Sequence, residues 1–286
     1  MQVIFDLFNT VFLAPLINLL VFLINTLQYL GIPGALGFSI IILTLLIRLV
    51  TWPAISRQLK SAKKMADLKP HMDELKKKHA GDKQAFAKAQ MQLYKEHGVN
   101  PAAGCLPTLI QFPILIALYQ AIFAFFSGPS GLKQINEMLY FPVMKLSSPP
   151  DPNFLGINLT YKPAEFVQHG YLLLLIPLLT AVLTFIQSKM IMPKPVKKYP
   201  SDLPKEMKEK EKAEDAMSAI QGQMVYMMPV MIGFFSWQFP TGLSVYWNMF
   251  TLIGIIQQYL LSGWGGMDGI INRLRGVNGK GGSHGE

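Results

Sequence analysis

The sequence predicts an all-α polytopic membrane protein, on three observations. The chain of 286 residues is 51% apolar and only 15% charged, against about 25% charged in ordinary soluble domains. Several apolar runs approach the twenty or so residues that cross a bilayer as a helix. The Lys and Arg residues that carry the net charge of +9 are concentrated in alternate loops, as the positive-inside rule requires.

The elements follow in order. Residues 1–33 are apolar, but Asp6, Asn9, Thr10, Asn18, Asn25 and Gln28 fall mostly on one half of a helical wheel and Pro15 interrupts the run. That pattern predicts an amphipathic helix on the extracytoplasmic surface of the bilayer, with a sixth span as the alternative. Spans are expected at 34–56, 101–127, 166–189, 224–239 and 243–261, the last two joined by the turn Pro240-Thr241-Gly242. The loop 53–100 holds 11 Lys and Arg, residues 128–165 hold three, residues 189–223 hold eight, and the tail from Ser262 holds three. The alternation puts 57–100 and 190–223 in the cytoplasm and 128–165 outside, with the N-terminus out and the C-terminus in. Residues 57–100 contain good helix formers on both sides of Gly81-Asp82 and predict a basic helical hairpin. The tail 262–286 has nine glycines and is expected to be disordered.

Inside the spans, polar residues recur at helical spacing. Thr44, Arg48 and Thr51 share one face, as do Thr180, Thr184 and Gln187. Ser244, Asn248 and Thr251 do the same, with Gln258 further on, and Thr108, Gln111 and Tyr119 form a looser fourth set. A single Thr of this kind ordinarily bonds across helices, for about 0.6 kcal/mol. Arg48 is different. A guanidinium at bilayer depth costs at least about 2.5–3.5 kcal/mol, and none of the five spans contains an Asp or Glu. The expectation is a hydrated groove on which the stripes converge. Arg48 lies about 13 Å along a helix from Arg57, so the groove should open to the cytoplasm. A charge so placed suits a protein that handles negative or polar groups of something else. Met224, Met227, Met228 and Met231 form a flexible cluster that suits either an adaptable surface or core filling.

Catalysis finds no support. The five His lie outside the middle of the spans, and no nucleophile–base set, metal-ligand spacing or phosphate loop is present. Neither a metal nor a cofactor is expected. The one cysteine, Cys105, permits no internal disulfide. No Lys or Arg precedes Arg48, which argues against a signal or transit peptide and for a bacterial plasma membrane. An anion or small-solute transporter would be the rival class, but it predicts inverted repeats and broken half-helices, which the unequal loops do not suggest. A structural subunit of a larger complex would bury the stripes against partners.

Three motifs in order carry a family resemblance. Gly37-Phe-Ser-Ile-Ile-Ile-Leu-Thr-Leu-Leu-Ile-Arg48 with Trp52-Pro53, then Asn100-Pro-Ala-Ala-Gly-Cys-Leu-Pro107 with Leu109-Ile-Gln-Phe-Pro-Ile114, then Phe239-Pro-Thr-Gly-Leu243 with Tyr246-Trp247-Asn248 resemble the YidC/Oxa/Alb membrane protein insertases over residues 34–261. The resemblance implies five membrane helices around a hydrophilic groove, open to cytoplasm and lipid and closed outside. It implies that Arg48 is the groove arginine, with Thr44, Gln187, Tyr246 and Trp247 at or near lining positions; Asn248 and Gln111 join them from the polar stripes. It makes nascent membrane proteins the substrates. It brings in the ribosome, through 57–95, and the Sec translocon as partners, beside the bilayer itself. DNA is not expected. The chain departs from the family's Gram-negative members, which have a large extracytoplasmic domain. Its tail is also short and weakly basic compared with members that bind ribosomes through theirs.

Overall fold

The computed structural model describes residues 2–79, 82–99, 106–191, 223 and 225–274. Cys105, Met224, the loop 192–222 and the tail beyond Leu274 lie outside the described residues, as does the side chain of Thr108. The fold is helical, and the β structure among the described residues is one two-stranded antiparallel hairpin. The helices are α1 (Gln2–Phe8), α2 (Ala14–Tyr29), α3 (Ala35–Asp67), α4 (Lys69–Lys78), α5 (Lys83–Glu96), α6 (Leu106–Phe126) and α7 (Pro129–Glu137). They continue with α8 (Phe166–His169), α9 (Leu175–Ile191), α10 (225–238), α11 (Thr241–Ser262) and α12 (Asp268–Leu274). The stretches Phe5–Tyr29, Ala35–Met65 and Tyr171–Ile191 are long and apolar enough to cross a membrane, and Gln111–Phe126 is a shorter apolar helix. Helix α11 has 22 residues, but its polar stripe lowers its mean hydropathy.

Two compact units are present. The first comprises the described residues of Met1–Ile55, Cys105–Thr184 and Met228–Gly254. Its core joins Leu13, Ile17, Leu20 and Ile24 to Leu36, Ile40 and Leu43, and these to Leu118, Ile122, Phe125 and Tyr246. Asn18 and Asn25, expected on a wetted face, instead tie α2 to the segment after α7. Asn18 donates to the Met138 carbonyl at 2.8 Å and accepts from the Tyr140 N–H at 2.7 Å, and Asn25 donates to the Met144 carbonyl at 3.0 Å.

The hairpin pairs β1 (Asn153–Phe154) with β2 (Ile157–Asn158), in register Asn153 to Asn158 and Phe154 to Ile157. Its turn residues Leu155 and Gly156 have φ of +50° and +81°, the left-handed pair of a tight two-residue turn. Phe154 lies across the start of α3, where a Cβ on Gly37 would come within 2.2 Å of its ring; only glycine permits that approach. The chain after β2 anchors α11. The N–H groups of Thr241 and Gly242 donate to the carbonyls of Tyr161 and Leu159 at 2.9 and 2.8 Å, which satisfies donors that a helix start leaves open.

The second unit comprises the described residues of Ser56–Gly104, Phe185–Met227 and Ile255–Glu286. Here α4 and α5 pack against each other, with Leu68, Leu93 and Val99 buried and Asp82 capping α5 through bonds from Gln84 and Ala85 N–H at 3.0 and 2.9 Å. In place of a helix beginning at 57, α3 runs unbroken to Asp67, because Lys, Gln and Ala continue a helix as readily as Leu.

Two other boundaries differ. The third span does not start as one helix at 166: Gly170, with φ +106°, ends α8, and a 3-10 turn Tyr171–Leu174 leads into α9. The tail from 262, expected without structure, contains α12. Asp268 in its first turn and Ile270, Ile271 and Leu274 on one face favour it, a local pattern hidden by the high glycine content of the whole tail.

Candidate functional site

The first unit buries Arg48. It is 3% exposed and sits on α3 one turn beyond Thr44. Its guanidinium carbon lies 3.5 Å from the centre of the Phe250 ring, and Nη2 donates to the Phe250 carbonyl. A cation over an aromatic face out of water is worth about 2 kcal/mol or more. The sequence predicted water around this charge; among the described residues a ring and a carbonyl supply much of its solvation.

Phe250 stands on α11 one turn from Tyr246, their ring centres 5.9 Å apart. The Tyr246 hydroxyl, on a fully buried side chain, accepts from Gln111 Nε2 of α6 at 2.6 Å. Three of the predicted residues, Arg48, Gln111 and Tyr246, are thus joined through Phe250 across three helices. Phe250 escaped the sequence reading because an aromatic on a membrane helix resembles any lipid-facing one. Its position four residues after Tyr246 was the available signal.

The other candidates divide. Thr44 is fully buried, and its hydroxyl is used internally, donating to the Ile40 carbonyl at 2.6 Å. Trp247 Nε1 and Asn248 Oδ1 are buried without a hydrogen-bond partner, as is Thr184 Oγ1. Gln187 belongs to the second unit and is half-buried near the end of α9. Further along the stripes, Thr180, Ser236 and Ser244 bond in a row at 3.1 and 2.9 Å, which is ordinary interhelical attachment. Met227, Met228 and Met231 are 61%, 46% and 49% exposed, so they coat the surface of α10 and are not core filler. Among the described residues no His, Cys, Asp and Glu group could hold a metal.

An orphaned donor and an orphaned acceptor on adjacent residues of α11 carry weight, because a buried polar atom without a partner costs about 1–3 kcal/mol. Trp247 offers an N–H and Asn248 a carbonyl oxygen.

Residues 28–265 match the family described as 60Kd inner membrane protein. A Fusobacterium nucleatum protein named membrane protein insertase YidC is 33% identical over 242 residues, covering 85% of this chain and 92% of that protein. Membrane protein insertase YidC 2 of Bacillus anthracis is 30% identical over 261 residues, covering 90% and 82%. The Rickettsia felis YidC is also 30% identical, but this chain spans only 36% of its length. The fold is similar to a solved structure described as an active YidC insertase with its first transmembrane domain resolved, with a TM-score of 0.52 and 24% identity over 84% of this chain and 44% of that one. The motifs around Arg48, Gln111 and Tyr246, the helical fold that gathers them and these relatives agree: the chain belongs to the YidC family of membrane protein insertases.

Proposed function

We propose that this protein inserts newly made membrane proteins into a bacterial plasma membrane, without consuming a nucleotide, by accepting a polar or acidic substrate segment beside Arg48. The observation that carries this reading is the buried cation of α3 together with the partnerless Trp247 Nε1 and Asn248 Oδ1 of α11. A substrate carboxylate or peptide carbonyl competes with Phe250 for the guanidinium, and substrate amides meet Asn248. The substrate's apolar helix meanwhile enters lipid, at several tenths of a kcal/mol per Leu or Ile. The site lowers the barrier for the polar segment; lipid supplies the driving force.

In this reading five helices cross the bilayer with the N-terminus outside and the C-terminus in the cytoplasm, and residues 1–33 lie on the outer surface. Thr44, one turn before Arg48 on α3, belongs to the same site. The basic hairpin α4–α5 receives substrate or touches the ribosome, and the Sec translocon is a further partner. Photoreactive residues at Trp247 and Asn248, with a ribosome-stalled nascent membrane protein as substrate, test the site. Crosslinks from both, absent from Val182 on an exposed face of α9, are the expected result. Silence at both while the substrate still inserts would overturn the proposal.

A further inference from the structure

The junction of α1 and α2 is not an α-helix. Asn9–Leu13 form a π-helical turn, in which the Ala14 N–H reaches back to the Asn9 carbonyl. Pro15 accounts for it: proline has no N–H to give the Val11 carbonyl, and its ring crowds that carbonyl in a regular helix. Widening by one residue relieves both. Such turns often mark functional positions, and this one borders a cavity remote in sequence and role from the arginine cluster.

The cavity, about 300 Å³, lies between this turn with the start of α2, the last two turns of α6, and α7. That is the lower end of the range for small-molecule sites. Leu13, Ile17 and Ile135 make an apolar wall, and Gln120, Ser130 and Gln134 bring neutral polar groups; no lining residue is charged. Those three polar residues are exposed and stand at its rim. Tyr119 and Phe123 also line it. Together with Phe112 and Ile116 these form one stripe of α6, 37–62% exposed, the face a membrane helix turns to lipid. Gln120 is exposed beside that stripe, where an amide without a partner is expensive in hydrocarbon.

We propose that this cavity holds one glycerolipid molecule. The amides of Gln120 and Gln134 and the Ser130 hydroxyl donate to the ester carbonyls, and an acyl chain runs between the Leu13–Ile17 wall and the α6 stripe. Neutral donors match an ester, which diacyl glycerophospholipids share whatever their headgroup, so occupancy is independent of headgroup charge. With the N-terminus outside, the lipid belongs to the outer leaflet.

The full chain in nanodiscs, with trace phospholipid carrying a diazirine in its acyl chain, provides the test. Adducts mapped by mass spectrometry are expected on Leu13, Ile17 and Phe123, equally for zwitterionic and anionic headgroups. Ser130→Trp, which fills the cavity, should lower them about tenfold, equivalent to about 1.4 kcal/mol, with elution profile and thermal midpoint unchanged. Gln134→Leu keeps the volume, removes a donor and should also lower them. Adducts unchanged in both variants would mean surrounding lipid only, and adducts confined to anionic lipid would mean headgroup recognition; either result overturns the proposal. So would crosslinks showing a polypeptide in the cavity.

Discussion

At the scale of single residues, Arg48 combines two properties that substitution can separate. Arg48→Lys retains the charge but loses the planar guanidinium that stacks on Phe250. It is expected to insert acidic substrates nearly as well as the parent while melting lower in detergent. Arg48→Ala should lose insertion of those substrates, and equal insertion by parent and alanine variant across several of them would remove the electrostatic role. Phe250→Leu tests the other partner: losing the ring should cost about 2 kcal/mol, read as a lower thermal midpoint. Much of this site was legible in sequence, because a lone Arg in an apolar run and polar residues at helical spacing are both one-dimensional signals. What pairs with what was not legible. Tyr246 with Gln111 and Arg48 with Phe250 are contacts between α11 and two other helices, and spacing along a single helix carries no information about its neighbours.

At the scale of elements, close approach is fixed by a few small residues. Gly37→Ala should drive Phe154 from its place against α3, at about 1–3 kcal/mol for overpacking. Phe154→Leu in the same chain should recover part of the loss. A double-mutant cycle of thermal midpoints measures that coupling, and simple additivity of the two changes would disprove the contact. The helices themselves were legible from apolar periodicity, but several of their ends were not. Leaving the bilayer changes the solvent without stopping the backbone, so α3 continues to Asp67. The gap at Gly170 interrupts an otherwise apolar stretch, and α12 is too short to show against the glycines around it.

At the scale of the molecule, the charge asymmetry and the compact units point to separable tasks. The first unit holds the buried arginine; the second holds the basic hairpin. Removing Lys69–Glu96 should leave the protein folded and in the membrane but unable to insert substrate, measured by protease protection of a translocated tag. Normal insertion by the deletion would show that the hairpin is dispensable. Topology is checked on a Cys105→Ser background with an impermeant maleimide. A cysteine at Val143, 90% exposed, should label from outside intact cells, and one at Lys95 only after lysis.

The β-hairpin turn also offers an opportunity for protein engineering. Leu155 adopts a left-handed conformation that costs a branched L-residue about 1–2 kcal/mol, and its side chain is 77% exposed, so little packing repays that cost. Leu155→Asn would give the pairing with Gly156 that such turns favour and should raise the thermal midpoint without touching the arginine cluster. A hardened variant of this kind would withstand extraction and labelling better than the parent chain.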